Sequence, residues 1–475
     1  MHKLRNAPHF VLPHSFGNSQ LALLALWPRI ALLLISVDLS NVRKKESELS
    51  SILFSAENMP QGAQVMPTAE EIEAGEDTGL SLSLRRCPRC GLVQFDCEPV
   101  DYYRKAIRAV GLSSTMRELR RRDYAYLIKK YGLSGKKWIE CGCGNGDFLE
   151  VLREFPVQIY GTEADPENVK TARRKLGRSS LSYAWSPEDP GRSQTVFSYL
   201  ESGVHEKEES PKPAQVPADH IMEFFPENGD QEIPGAPFDV FLSFNFLEHQ
   251  PDPVSMLRCL HKNLTKGGIG LITVPSFEYI LKEGRYYELV RDHIANYDED
   301  ALEALCEYCG FEVKDSKSIG IGDTLRVVVK KRSDADDYEF ETDDDDDQPD
   351  YSVLEKNYRH LSEKIQKYMN GLRAEGRTIA MWGASHQGFT IAATTALKDE
   401  VKYIIDSAPY KQGRFAPASH LPIVAPDYYK EHPVDVILIA APGYIREIEA
   451  SIRKMYEDCP AGIPKICDIL ELKER

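Results

Sequence analysis

The stretch KWIECGCGNGDFLEVL, residues 137–152, decides the fold of the central domain. A hydrophobic run leads into Glu140, glycines follow at Gly142, Gly144 and Gly146, and a helix pattern begins directly after them. Glycine permits a tight turn and a close approach of the backbone to a ligand, while the start of a helix presents free N–H groups. The stretch therefore predicts a strand, a turn and a helix that together bind a nucleotide-type cofactor.

The next strand pattern, VQIYGTE, ends at Glu163. A carboxylate at this place can accept two hydrogen bonds from the hydroxyls of a ribose. Alternatively an acidic residue here would cap the helix that begins at Pro166, but Asp165 fits that role better. We therefore expect Glu163 to bind a ribose, which leaves NAD as a competing cofactor because its ribose would be bound in the same way.

Strand and helix patterns alternate from the Gly-rich stretch to residue 332 and end in two strands, FEVKDSKSIG and TLRVVVKK. This alternation predicts an α/β domain over residues 113–332, with a mostly parallel sheet and an antiparallel closing strand. We expect a strand near residues 195–200 and a surface insertion over residues 206–237. A second strand, Gly turn and helix, TIAMWGASHQGFTIAATTAL, predicts another small α/β domain over residues 351–475.

The charge and cysteine content exclude some classes of protein. The formal net charge is −16, without a cluster of Lys and Arg, so a nucleic-acid partner is not expected. Residues 333–350 include five consecutive aspartates and are typical of a flexible acidic linker. Ten cysteines without a disulfide-like spacing favour a reducing compartment, and we expect a cytoplasmic protein.

Residues 1–50 form an atypical extension. Its apolar run LALLALWPRIALLLISV is interrupted by Pro28 and Arg29 and is short for a bilayer span, which needs about 20 residues. A membrane anchor or signal, a buried or poorly ordered extension, and a wrongly assigned start of the reading frame all remain open. A membrane association of the protein is not expected.

Several segments in one order resemble the nucleotide-sugar C-methyltransferases: CPRCGLVQF, FNFLEHQPDP, DHIANY, WGASHQGF and IIDSAPYKQGRFAPASHLPIVAP. That family combines an N-terminal zinc-binding module, here residues 51–112, with a class I methyltransferase domain and a C-terminal Rossmann-like domain. The resemblance extends over residues 60–469. It implies S-adenosylmethionine as the cofactor in place of NAD, a small-molecule substrate such as a nucleotide-linked sugar, and a monomer or homodimer.

The resemblance also implies the catalytic residues. In members that act on 4-keto sugars an acidic residue and a histidine carry the chemistry, and here the pair is Asp292 and His293, followed by Tyr297. A carbon next to a ketone must lose a proton before it can attack a methyl group, and histidine titrates near neutral pH. We expect His293 to be the general base and Asp292 to orient its ring. The alternative is a surface histidine near the helix that begins at Asp298.

Other site residues follow from the same resemblance, each with packing or ordinary surface charge as the alternative. The turn GASHQGF, which contains His386, resembles a phosphate-binding loop but lacks the full dinucleotide pattern. The residues expected to contact the cofactor are Glu140, Gly142, Gly144, Gly146, Glu163, Asn245 and Glu248. The residues expected to contact the substrate are Tyr102, Tyr103, His249, Lys411 and Arg414, the last two through a diphosphate.

The zinc module departs from the family pattern. Tetrahedral zinc needs four ligands, and the family supplies them with two CxxC pairs. In this sequence only Cys87 and Cys90 match. Cys97 is a candidate third ligand and the fourth is unidentified, so zinc is possible but doubtful. The second CxxC, Cys306 and Cys309, lies in a predicted amphipathic helix and is expected to pack in a core.

Three functions remain open at this point. The first is methyl transfer from S-adenosylmethionine to a carbon of a keto sugar or a related small molecule. The second is O- or N-methylation of another metabolite, and the third is a binding protein that keeps the scaffold without turnover.

Overall fold

The computed structural model describes residues 52–88, 90–104, 113–180, 215–332, 349–441 and 445–472. The extension over residues 1–50, the strand expected near residues 195–200 and nearly all of the acidic linker lie outside these ranges. In the part of the chain that is described, no helix is long and apolar enough to cross a membrane.

The described residues form three sheets and twelve α-helices. The strands are β1 Phe54–Met59, β2 Leu80–Arg86, β3 Val93–Phe95, β4 Lys137–Cys141, β5 Gln158–Glu163, β6 Ile221–Glu223, β7 Phe238–Phe244, β8 Leu264–Pro275, β9 Ala295–Asn296, β10 Phe311–Ile319, β11 Thr324–Lys331, β12 Ile379–Trp382, β13 Ile404–Ile405, β14 Ile423–Val424, β15 Val436–Ile439 and β16 Lys465–Asp468. The helices are α1 Ala69–Glu73, α2 Ser114–Tyr131, α3 Asp147–Leu152, α4 Pro166–Leu176, α5 Pro253–Lys262, α6 Phe277–Glu283, α7 Glu299–Tyr308, α8 Ser352–Ala374, α9 His386–Thr394, α10 Leu397–Glu400, α11 Tyr428–Glu431 and α12 Ile445–Met455.

The central sheet has seven strands in the order β6-β5-β4-β7-β8-β11-β10. Strands β6, β5, β4, β7 and β8 are parallel, whereas β11 pairs antiparallel with both β8 and β10. The predicted α/β fold with an antiparallel closing strand is confirmed. The strand that leads into Glu140 is β4, at the centre of this sheet, so the Gly-rich turn lies at the edge where parallel strands end and ligands bind.

One expectation about the central sheet is wrong. The region expected to be a surface insertion, residues 206–237, contributes strand β6, and Gly161 of β5 pairs with Ile221. Ile221 is fully buried, because the strand covers the edge of the sheet beside β5. A strand of three residues between polar segments is too short to show a period-2 pattern, so no local pattern predicts it.

The core of the central domain forms between the sheet and α2. This helix begins after Ser113, whose hydroxyl accepts a hydrogen bond from the N–H of Met116, and it ends at Gly132. Tyr124 on its inner face is fully buried and its ring lies edge-on to Trp138 of β4, with 5.9 Å between centroids. Burying a side chain of this size stabilises the fold by about 1.5–3 kcal/mol.

The N-terminal module is a four-stranded antiparallel sheet in the order β1-β2-β3-β9. Its last strand comes from the central domain, because Val93 and Gln94 pair with Asn296 and Ala295. The DHIANY segment therefore completes the sheet of the N-terminal module, which extends beyond the expected boundary at residue 112. This pairing places His293 directly beside the module.

The C-terminal domain has a five-stranded parallel sheet in the order β14-β13-β12-β15-β16. It contacts the N-terminal module at several places. The side-chain amide of Asn58 donates to the carbonyl of Ala393 over 2.6 Å, and Nε2 of His420 lies 2.9 Å from Oδ2 of Asp77. These contacts join segments more than 300 residues apart in the chain.

A buried ion-pair network connects α2 with the closing strands. Arg120 is fully buried, pairs with Asp123 over 3.0 Å and donates to the hydroxyl of Thr273 on β8. The other oxygen of Asp123 accepts a 2.6 Å bond from Arg326 of β11. The guanidinium of Arg120 also lies 3.9 Å from the ring centroid of Phe244 at the end of β7.

We expect Arg120→Met to lower the free energy of unfolding by about 3–5 kcal/mol, because removing one partner of a buried pair leaves charge without compensation. Urea unfolding followed by tryptophan fluorescence measures this loss. The matched control is Arg122→Met on the same helix, whose exposed ion pair with Glu118 contributes about 0–1 kcal/mol. Equal losses for the two variants would contradict the structural role of Arg120.

Candidate active site

The glycines after β4 have distinct roles. Gly142, Gly144 and Gly146 have φ angles of 73°, 50° and 75°, which disfavour any side chain. A Cβ at Gly142 would lie 2.5 Å from the ring of Phe246, whereas a Cβ at Gly144 would meet nothing within 4 Å. The open space beside Gly144 is therefore the part of the turn that can accept a ligand.

Glu163 lies next to this open space. One carboxylate oxygen accepts a 2.8 Å bond from the N–H of Gly144 and the other a 2.9 Å bond from the N–H of Asp165. Asp165 itself caps α4 by accepting from Glu167 and Asn168. Asp165 therefore caps the helix, as the sequence predicts, and Glu163 faces the Gly-rich turn. The contact between Glu163 and a ribose stays a prediction.

Two further residues expected at the cofactor lie at the ends of β4 and β7. Glu140 is buried, and its Oε2 has no hydrogen-bond partner in the described part of the chain. Burial raises the pKa of this carboxyl well above its usual value, although the nearby Arg120 opposes the shift. Asn245 has a positive φ of 48°, and its side-chain oxygen accepts from Thr273, which ties it to the Arg120 network.

Three side chains converge after β7. One carboxyl oxygen of Glu248, one ring nitrogen of His249 and one ring nitrogen of His293 all lie within 4.8 Å of one another. The rings of His249 and His293 are 4.8 Å apart, edge to face. Nδ1 of His249 lies 2.7 Å from the carbonyl of Asp292, and because a carbonyl only accepts, Nδ1 carries the proton and Nε2 is unprotonated in the neutral ring.

Burial sets the proton state of this cluster. It lowers the pKa of His293 well below 6.5, and the neighbouring His249 and His386 lower it further. Burial also lowers the pKa of His249, against the opposing effect of the Asp292 carbonyl. The pKa of Glu248 is raised to about 8, again by burial. At neutral pH the cluster therefore contains two neutral imidazoles and a neutral carboxyl.

Asp292 does not orient the ring of His293, which corrects the expected role. Its Oδ1 accepts a 2.8 Å bond from the hydroxyl of Tyr102, and its Oδ2 accepts a 2.7 Å bond from the N–H of Ala63. Among the described residues no hydrogen bond joins its carboxylate to His293. The carboxylate faces the N-terminal module because β9, which follows it, is a strand of that module. Asp292 bonds to His249 through its carbonyl, and its charge also opposes the lowering of the pKa of that ring.

The three tyrosines lie in different surroundings. Tyr102 reaches the site through Asp292, and its pKa is raised by burial and by that carboxylate. The ring of Tyr103 lies 5.7 Å from Phe225, which lies 6.0 Å from Phe246 beside the Gly-rich turn. Tyr297 is fully buried with its pKa raised well above 10.0 by burial and by Glu248, so its hydroxyl can donate but not act as a base.

The two cations expected to contact a diphosphate, Lys411 and Arg414, lie in different surroundings. The ammonium of Lys411 bonds to the carbonyl of Ala384 over 2.8 Å and to Asp406 over 3.1 Å. This pairing holds the turn after β12, so Lys411 lacks the free charge that a diphosphate contact needs, and the expectation is corrected. Arg414 is exposed and faces Glu70 of the N-terminal module.

His386 and Glu288 are neighbours that the sequence did not connect. Nε2 of His386, at the start of α9, lies 3.1 Å from Glu288, and Gln387 donates to the other carboxylate oxygen over 2.7 Å. His386 also acts electrostatically on His293. The sequence places His386 in the turn GASHQGF, but only tertiary packing brings it near His293.

The cysteines do not form a complete zinc site in the described residues. Cys87 and Cys90 contact each other at a turn, whereas Cys97 lies beside Arg291. The cluster of Glu248, His249 and His293 is the only group of three potential ligands found there. Among the described residues Cys97 does not group with Cys87 and Cys90 as a third ligand. Cys306 and Cys309 are buried on α7 as packing groups.

The strand order and the Gly-rich turn define a class I S-adenosylmethionine-dependent methyltransferase domain. Residues 115–316 match the family described as a methyltransferase domain, and residues 335–461 match the family described as a C-methyltransferase C-terminal domain. The two matches cover separate parts of the chain, a methyltransferase domain followed by a C-methyltransferase C-terminal domain, and S-adenosylmethionine is the cofactor that the fold of the first part accepts.

Curated relatives match parts of the chain. It is 24% identical over 221 residues to C-methyltransferase NovU of Streptomyces niveus, covering 44% of this chain and 53% of the relative. It is 27% identical over 143 residues to ubiquinone biosynthesis O-methyltransferase of Pseudomonas aeruginosa, covering 30% of this chain and 46% of the relative. The chain thus spans about half the length of these relatives.

Magnesium protoporphyrin IX methyltransferase of Synechocystis with bound SAH has a TM-score of 0.31 and 13% identity, covering 46% of this chain and 85% of that chain.

We expect Gly144→Ala to weaken the binding of S-adenosylmethionine by about tenfold or more, since losing about 1.4 kcal/mol of binding free energy has that effect. The added methyl group would occupy the open space beside Glu163. Isothermal titration calorimetry measures the affinity. The control is Gly135→Ala, which shares a positive φ and open surroundings but lies in the turn before β4. Unchanged affinity in Gly144→Ala would contradict this placement of the ligand.

We expect purified protein to lack stoichiometric zinc, because Cys87 and Cys90 supply only two of the four ligands that a structural site needs. Metal analysis by mass spectrometry checks this. A stoichiometric zinc content that is lost in Cys87→Ser would show that the remaining ligands come from elsewhere in the chain.

Proposed function

We propose that this protein transfers a methyl group from S-adenosylmethionine to a carbon next to a ketone in a nucleotide-linked sugar, with His293 as the general base. The observation that carries the proposal is the position of His293. Its ring is neutral and only partly enclosed, and it lies beside Glu248 and His249 at the edge of the sheet where the cofactor turn ends. A neutral imidazole can accept a proton, whereas a charged one cannot.

The cofactor residues fit a methyl donor. We assign the ribose to Glu163, whose carboxylate borders the open space at Gly144, and the methionine part to the turn and to Glu140 and Asn245. S-adenosylmethionine, when bound, supplies a methyl group on a positively charged sulfur. The neutral surroundings of the cluster after β7 suit a reaction in which charge forms briefly on the acceptor, because few waters compete for it there.

The residues around His293 hold it in place. His249 is fixed by the bond from its Nδ1 to the carbonyl of Asp292, and its ring packs edge-on against His293. Asp292 in turn is held by Tyr102 and Ala63 of the N-terminal module. We therefore assign Asp292 and Tyr102 as positioning residues, since they act on the base through the segment that carries it.

The acceptor has a candidate entrance in the N-terminal module. A cavity of about 220 Å³ is lined by Tyr102, Gln61 and Arg291, so it opens beside the hydroxyl that bonds to Asp292. Glu76 and Asp101 also line it, together with further carboxylates, which disfavour a diphosphate at that place. We propose that the sugar enters here and that the nucleotide diphosphate stays outside the cavity.

Methylation of oxygen is the second candidate, because the relatives named O-methyltransferases match the chain. Their match covers 30% of it, which is the methyltransferase part that any acceptor class shares. The C-terminal family match favours carbon. A base such as His293 serves either reaction, so the methylated atom has to be measured.

We expect His293→Ala to lower turnover of a nucleoside-diphosphate 4-keto-6-deoxyhexose by about 10²–10⁴-fold, the usual contribution of a general base. Mass spectrometry with a labelled methyl donor measures turnover, and NMR of the product identifies the methylated carbon or oxygen. Since His293 must be unprotonated and its pKa is lowered, wild-type kcat/KM should fall with acid only below pH 6.5.

The matched control is His360→Ala, which removes an exposed histidine on α8. Undiminished turnover in His293→Ala would exclude the general base. Binding of S-adenosylmethionine without turnover of any keto sugar by the wild type would favour a binding protein, and a product methylated on oxygen would favour the second candidate.

A further inference from the structure

The carboxyl group of Glu248 has an oxygen that nothing in the described structure satisfies. Glu248 is 2% exposed, and its Oε2 has no hydrogen-bond partner among the described residues. Leaving a buried polar atom without a partner costs about 1–3 kcal/mol. Such a cost is commonly retained at functional sites, where the missing partner is a ligand.

The groups that face Glu248 supply no positive charge at neutral pH. His249 follows it in the same turn, His293 approaches from the segment before β9, and both rings are neutral because burial lowers their pKa. Asn245, before the turn, bonds to the carboxyl, and Tyr297 beyond β9 is a neutral phenol. With its pKa raised to about 8, Glu248 is protonated at pH 7 and can donate a hydrogen bond.

The spacing of Glu248 and His293 suits one particular acceptor unit. A carboxyl oxygen of Glu248 and a ring nitrogen of His293 lie within 4.8 Å of each other. A ketone with its adjacent C–H group needs a base at the hydrogen and a donor at the oxygen, two atoms that are separated by two carbons. The contact between the base and the carbon and the contact between the donor and the oxygen each require about 2.6–3.2 Å between heavy atoms. A ketone with its neighbouring carbon can therefore contact both residues at once.

We propose that Glu248 is a catalytic residue whose protonated carboxyl donates a hydrogen bond to the enolate oxygen of the acceptor. This inference rests on the proposed function. His293 takes the proton from the carbon next to the ketone, and the electron pair of that C–H bond forms a C=C bond. The π pair of the C=O bond moves onto oxygen, which accepts the hydrogen bond from Oε2 of Glu248. The carboxyl keeps its proton, so no further reagent is consumed.

The role differs from the cofactor contact that the sequence suggested for Glu248. A contact to the ammonium of the methyl donor requires a charged carboxylate, whereas enolate stabilisation requires a protonated one. Glu163 and Glu140, the carboxyls nearer the Gly-rich turn, remain available to the cofactor. The two roles therefore predict opposite effects of pH and of substitution.

The test separates enolate formation from methyl transfer. Wild type, Glu248→Gln and Glu248→Met are incubated in D₂O with a nucleoside-diphosphate 4-keto-6-deoxyhexose and S-adenosylhomocysteine, and NMR follows deuterium entering the carbon next to the ketone. Glu248→Gln keeps an N–H donor and should lose less, whereas Glu248→Met, which cannot donate, should exchange about 10²–10³-fold more slowly, the usual loss for one oxyanion donor. The affinity of each variant for S-adenosylmethionine should change by less than about threefold, since threefold corresponds to under 1 kcal/mol.

The pH profile gives a readout that a merely structural role would not change. Wild-type exchange should decline above about pH 8, where Glu248 loses its proton, and this alkaline decline should be missing in Glu248→Gln because an amide does not titrate. Infrared difference spectra between the two proteins should contain a protonated carboxyl band at pH 7. The control is Glu303→Gln on α7, whose carboxyl also has a pKa raised by burial but lies near Ser316 of β10, at the edge of the sheet.

Each other outcome is decisive. Exchange at the wild-type rate in Glu248→Met, or no carboxyl band at pH 7, would overturn the role of Glu248 while leaving His293 as the base. Weaker binding of S-adenosylmethionine with an unchanged exchange rate would show that Glu248 contacts the cofactor and not the enolate oxygen. If the wild type does not exchange at all, the proposed function fails, and the inference that rests on it fails as well.

Discussion

The two hydrogen bonds to the carboxylate of Asp292 are the interaction on which the site depends. They come from Tyr102 and Ala63 of the N-terminal module, and the neighbouring Arg291 donates to three carbonyls of the same module. The next residue is His293, and two positions later the chain joins the sheet of the module as β9. The segment that carries His293 is thus held by a sheet whose other strands come from a different part of the chain.

Low polarity explains the behaviour of the groups that meet there. Burial disfavours charge of either sign, so it lowers the pKa of both histidines and raises that of Glu248. The same surroundings thereby give one group that accepts a proton and another that donates a hydrogen bond at a single pH. Acid and base roles separate in this way in sites that remove a proton next to a ketone.

The C-terminal domain contributes to the site from a distance. His386 contacts Glu288 and influences His293, while Lys411 and Asp406 fix the turn that precedes α9. On the other side of the domain, His420 and Ala418 both bond to Asp77 of the N-terminal module. The C-terminal domain and the module therefore both contact the segment between β8 and β9, the first at Glu288 and the second at Asp292.

The sequence by itself determined the elements that depend on local geometry. The Gly-rich turn requires positive φ at Gly142, Gly144 and Gly146, and alternating hydrophobic patterns fixed the central sheet, its closing strand and the parallel C-terminal sheet. The roles of Asp165 as a helix cap and of Cys306 as a core residue follow from position within one element. Only tertiary structure decided the partners of Asp292 and Lys411, the place of β6 and the orphan oxygen of Glu248. These depend on burial and on contacts between residues far apart in the chain, which no local pattern records.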